Sequence, residues 1–122
     1  AVSKIVQAVN SMIANDNYIS SVLQGQSEIF FLYKGLYKWS ITKRDDGYHL
    51  WFYPGGQELR SLAALDNDGW GSADIPMVHY HDAEIGTKEA KASFAELYTV
   101  LSEKVHGIDD VLNDIIGDGI PF

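Results

Sequence analysis

The stretch EIFFLYKGLYKWSITKRDDGYHLWFYP, residues 28–54, decides the fold. Its apolar residues are mostly aromatic or β-branched and come in short runs, the composition of strands. A first strand is predicted over 28–34, after which Gly35 marks a bulge or a turn. The next segment, 36–43, alternates. Tyr37, Trp39 and Ile41 point one way and Lys38, Ser40 and Thr42 the other, which predicts one half-wet face. Asp46-Gly47 is the strongest hairpin signal in the chain, because such a pair tolerates the positive φ of a type I′ turn. The returning strand, 48–53, puts His49, Trp51 and Tyr53 on one face and Tyr48, Leu50 and Phe52 on the other. Both faces are apolar or aromatic, so this strand belongs in the middle of a sheet or along a concave site. Pro54-Gly55-Gly56 ends it by removing a backbone donor.

On the N-terminal side, Val2, Ile5, Val6, Val9 and Ile13 recur at helical spacing and predict a helix over 2–14. Continuing that period would bury Asp16. A break and a second helix over 17–24, carrying Tyr18, Ile19, Val22 and Leu23 and stopping at Gly25, avoid that cost. On the C-terminal side, 57–65 fits a short helix slightly better than a strand, and DNDGWGSAD at 66–74 reads as a loop. An edge strand follows, paired over 77–84, with Met77, His79 and His81 on one side and Val78, Tyr80 and Asp82 on the other. Ala90, Phe94, Leu97, Tyr98, Leu101 and Val105 predict a helix over 88–105, capped by Thr87 and closed by Gly107. A last helix is expected over 109–116, with the tail DGIPF loose or docked through Phe122. The order of elements gives an α+β fold: an antiparallel sheet of three to four strands between N- and C-terminal helices. At 122 residues it is one compact domain, 1–122.

With 46% hydrophobic residues and three prolines, the chain can bury a core, and disorder is not expected. The absence of cysteine excludes disulfides, thiolate chemistry and Cys-ligated zinc. No apolar run reaches the length that spans a bilayer. A soluble protein, cytosolic or secreted, is expected. The start at Ala1-Val2, without an initiator Met, reads as a processed or trimmed end.

The formal charge is -8, and it is uneven. Residues 61–122 carry twelve acids and three lysines, whereas residues 28–60 carry five basic and four acidic groups. That balance opposes nucleic acid and anionic membranes and favours a basic protein partner.

His79-Tyr80-His81-Asp82 is the best enzyme-like candidate. Residues two apart on a strand share a face, so His79 and His81 can grip one divalent metal, zinc or non-haem iron. A third ligand would have to come from elsewhere: His49, His106, Glu84 or a loop carboxylate such as Asp66 or Asp68. Asp66-Asn67-Asp68-Gly69 resembles the start of a calcium loop, but position 12 is Met77, so the bidentate carboxylate is missing. Trp70, between two glycines, is either a plug in the core or an exposed anchor. No Gly-x-Ser-x-Gly or phosphate-cradling loop occurs.

Three functions follow as expectations. The first is a small acidic protein, of inhibitor or toxin-immunity type, that binds and neutralises a basic partner protein. Trp51, Tyr53 and Trp70 would be its anchors, with Asp66, Asp68, Asp74, Asp82 and Glu84 facing the partner. It would need no cofactor and is not an enzyme. The second is a metal-dependent enzyme or small-molecule binder using His79 and His81. The third is a homo-oligomerising module whose aromatic face forms its own dimer interface.

Overall fold

The computed structural model describes residues 3–118. One antiparallel sheet runs in chain order through β1 (Ile19–Gln24), β2 (Ile29–Tyr33), β3 (Tyr37–Arg44), β4 (Gly47–Tyr53) and β5 (Val78–His81). Helix α1 (Lys4–Ala14) precedes it, and α2 (Leu59–Ala63) and α3 (Asn67–Ser72) occupy the connection from β4 to β5. Helices α4 (Asp82–Ile85), α5 (Lys88–His106) and α6 (Ile108–Asp118) follow. The α+β class and the antiparallel sheet are as expected, but the sheet has five strands.

The added strand is the segment expected as a helix over 17–24. Asp16–Tyr18 is a single 3-10 turn, and the residues after it pair with β2 from Ile19↔Tyr33 to Gln24↔Ile29. A bulge between Ser20 and Leu23, with Ser21 at φ +52°, interrupts the alternation that would have marked a strand. Pairing prevails because β2 would otherwise present a row of unmatched N–H and C=O groups. Gly35 proves to be turn rather than bulge, in a loop whose Lys34 and Gly35 have φ of +57° and +67°.

The β3–β4 hairpin turns one residue earlier than expected. Arg44 pairs with Gly47, so Asp45 and Asp46 make the turn, both at negative φ. Gly47 still carries the positive φ, +124°, and a Cβ there would run into Asp82 Oδ1. Glycine is therefore required twice at this position, by its dihedral and by its neighbour.

The sheet is covered on both faces. On one, Ile29, Phe31, Ile41 and Leu50 pack against Val9 and Met12 of α1 and Phe94, Leu97 and Leu101 of α5. The Ser93 hydroxyl donates to Asn10 Oδ1 at 2.6 Å and ties α5 to α1. Thr87 Oγ1 accepts from Ala90 N at 3.1 Å, and Gly107 closes α5 in the left-handed conformation, as the sequence predicts. On the other face Phe30 and Tyr53 pack against Leu59 and Leu62 of α2.

That second face corrects the expectation of a half-wet side. Ser40 and Thr42 are buried, because α2 and α3 fold back across it. Their hydroxyls are satisfied internally: Ser40 Oγ lies 2.7 Å from Tyr53 Oη, and Thr42 Oγ1 donates to the Ser27 carbonyl at 2.7 Å. Lys38 Nζ donates to the carbonyls of Gly55 and Gln57, which pins the start of the connection. Residues 66–74, expected as a loop, contain α3, whose first turn is capped by Asp66 Oδ1 accepting from Gly69 N at 2.7 Å. Strand β5 is shorter than the expected 77–84, since Asp82 already opens α4.

Helix α6 packs on α5 but leaves Val111, Leu112, Ile115 and Ile116 exposed, by 47–60%. Val2 of the first expected helix and most of the DGIPF tail, residues 119–122, lie outside the described residues. No helix among the described residues is long and apolar enough to cross a membrane.

Candidate functional site

The pairing of β4 with β5 sets His49 opposite His81 and Trp51 opposite His79. Side chains two apart share a face, so all four rings project from the same side of this edge. They form a stacked row. His49 and His81 have centroids 4.0 Å apart with planes 10° from parallel, and His49 and His79 are 5.0 Å apart at 3°. Trp51 lies 5.0 Å from His79, and the Arg44 guanidinium covers its ring at 5.3 Å.

The hairpin turn brings in the acid. Because Asp46 is the second turn residue, it bends over the end of β5. Its Oδ1 lies 2.9 Å from His49 Nε2, its Oδ2 is 3.7 Å from His81 Nε2, and its carbonyl oxygen lies 3.0 Å from that same nitrogen. One ligand atom from each of Asp46, His49 and His81 lies within 4.8 Å of the others. His79 stands one step out, its Nε2 2.8 Å from His49 Nδ1. A second carboxylate supports the row from below: buried Asp82 accepts from Tyr48 N at 3.1 Å, with Oδ1 3.6 Å from His81 Nε2.

Electrostatics follow this arrangement. The hydrogen bond with His49 holds the Asp46 carboxyl below the usual aspartate range. Desolvation, then the neighbouring His49, push the His79 imidazole below its ordinary value, so it favours the neutral form. His49 is buried and His81 nearly so, whereas Asp46 and His79 face solvent.

The chain matches no family model, no curated protein and no solved structure.

Of the two expected metal ligands, His81 lies in the Asp46–His49–His81 group and His79 is its outer neighbour. His49, one of the residues considered as a third ligand, is also in that group, while His106, Glu84, Asp66 and Asp68 take no part in it. Asp46 is the residue sequence reading missed. Its only signal is its place in the turn, three residues before His49.

The eight residues expected to face a partner do not share one surface. Tyr53 and Asp82 are buried and engaged internally, so neither is a surface anchor. Trp70 is the core plug rather than the free anchor, stacked on Phe30 at 6.3 Å and close to Tyr53 at 6.0 Å. Trp51 is half-buried within the imidazole row, and Asp66 is spent on capping α3. Asp68, Asp74 and Glu84 are exposed, the first two around α3 and the last on α4.

Proposed function

We propose that this protein binds one divalent transition-metal ion through His49 Nε2, His81 Nε2 and the Asp46 carboxylate. The observation that carries the reading is the convergence of these three groups from a turn and two paired strands. An ion held at about 2.0–2.1 Å by each ligand wants its ligand atoms about 3.3 Å apart; the two Asp46 oxygens lie on either side of that span, Oδ1 2.9 Å from His49 Nε2 and Oδ2 3.7 Å from His81 Nε2. Two imidazoles and a carboxylate suit zinc, iron or manganese and leave coordination positions open to solvent or substrate. Asp46 and Asp82 also match the charge of a doubly positive ion.

The outer neighbour fits the same reading. With a metal on His49 Nε2, the ring proton sits on Nδ1 and donates to His79 Nε2, which accepts when neutral. Such a contact fixes the ligand's tautomer and orientation. Titration calorimetry with zinc tests the proposal. One ion per chain, bound at least about 100-fold more weakly by His49→Ala and His81→Ala, supports it. Equal binding by all three proteins, with circular dichroism showing each folded, removes it.

The acidic binding protein is the second reading, favoured by the exposed apolar stripe on α6 beside exposed Asp110 and Asp114. A basic partner with an apolar groove would match that helix. Low-salt capture of a basic protein that is lost with Ile115→Asp supports this reading. A mass that rises with concentration and falls in the same variant assigns the stripe to self-association instead.

A further inference from the structure

Away from the imidazole row, at the Lys34–Leu36 turn, an open recess of about 680 Å³ separates α1 from the sheet. Its wall is built of rings: Tyr18, Tyr33, Tyr37, Trp39, Phe52 and Tyr80. Trp39 and Phe52 are half-buried in this wall, with centroids 4.9 Å apart. Tyr18 and Tyr37, each 47% exposed, stand at the rim. The recess is open to solvent rather than enclosed. Its volume lies within the range of small-molecule sites.

One charged residue lines it, Lys34. Its ammonium sits over the Tyr18 and Tyr33 rings at 5.6 and 6.0 Å. Among the described ion pairs none involves Lys34, although the chain carries an excess of eight negative charges. Its backbone is held at φ +57°, a left-handed conformation unfavourable for a residue with a Cβ. A glycine would serve the turn better. A lysine there makes sense as a cation placed at the mouth.

We infer that this recess binds a flat, mainly apolar small molecule carrying one anionic group, with the rings stacking on its body and Lys34 pairing with its charge. The aromatic walls alone would also suit a quaternary ammonium. Lys34 argues against that, because its own positive charge already covers two of the ring faces. The inference is independent of metal binding, since none of these residues belongs to the Asp46–His49–His81 cluster.

Two fluorescent probes test it: 1-anilinonaphthalene-8-sulfonate, whose naphthalene is flat and whose sulfonate is anionic, and N-phenyl-1-naphthylamine, its uncharged relative. The folded wild-type chain should bind one sulfonate probe saturably. Lys34→Gly should weaken that probe about tenfold, the worth of one charge-assisted contact, and change the neutral probe less than twofold. Ala8→Trp, at an exposed position on the recess wall, should abolish both while keeping the wild-type melting transition. Non-saturating binding, equal affinities in wild type and Ala8→Trp, equal weakening of both probes by Lys34→Gly, or displacement by tetraethylammonium would overturn the inference.

Discussion

Leu50 and His49 are neighbours on β4 and point to opposite faces of the same sheet. Leu50 enters an apolar layer of Phe31, Ile41, Phe94 and Leu97 in which no side chain needs a hydrogen bond. His49 enters a face where Ser40, Thr42 and Tyr53 are also buried, and each of these four side chains has a hydrogen-bond partner. Apolar burial is forgiving of direction and supplies most of the stability. Polar burial must be satisfied atom by atom, so it fixes geometry. The difference teaches that one strand can separate the two tasks: the α1–α5 face holds the fold, and the opposite face holds side chains in positions suited to chemistry.

Substitutions on β4 and β5 can break that separation. Leu50→Ala should lose about 2–5 kcal/mol of stability, read by urea unfolding, with zinc affinity of the folded fraction unchanged. His49→Ala should do the reverse, losing about 100-fold or more in zinc affinity with a smaller stability loss than Leu50→Ala, because the partners it leaves, Asp46 and His79, face solvent. Comparable stability losses from both variants would erase the distinction. His79→Ala should lose about 10- to 100-fold in zinc affinity, as an outer-sphere partner, and no more than His81→Ala loses. If His79→Ala were the most damaging of the three, the ligand triangle would have to be redrawn around it.

Tyr53 sharpens the comparison through pH. Desolvation pushes its hydroxyl up to about 12. A raised pKa means the folded state favours the protonated phenol. The resulting stability is present below the unfolded value, near 10, and is lost as pH rises through the folded one. Denaturant midpoints measured from pH 8 to 12 should therefore fall above about pH 10. Tyr53→Phe should flatten that fall and lower stability at pH 8 by about 1–2 kcal/mol, because Ser40 Oγ loses its partner.

Local rules made much of this architecture legible. The stripe from Ala90 to Val105 with its Thr87 and Gly107 caps specifies α5, and the two-sided apolarity of 48–53 places β4 inside the sheet. The β1 segment reads as a helix because Tyr18, Ile19, Val22 and Leu23 satisfy helical spacing, while the bulge at Ser21 hides their alternation. Its identity depends on pairing with β2, a non-local fact. The site divides similarly. His79 and His81 announce themselves by spacing, and His49 by its face. Asp46 reads only as a turn residue until the β4–β5 register carries His81 beneath it.

The most direct test of the metal proposal is a long-range ¹H–¹⁵N spectrum of the imidazole nitrogens, recorded before and after one equivalent of zinc. The account predicts that Nε2 of His49 and His81 shift to the values of coordinated nitrogen, and that His79 responds only through its contact with His49 Nδ1. Coordination shifts on His79 with none on His49, or no shift on any of the three rings, would contradict it.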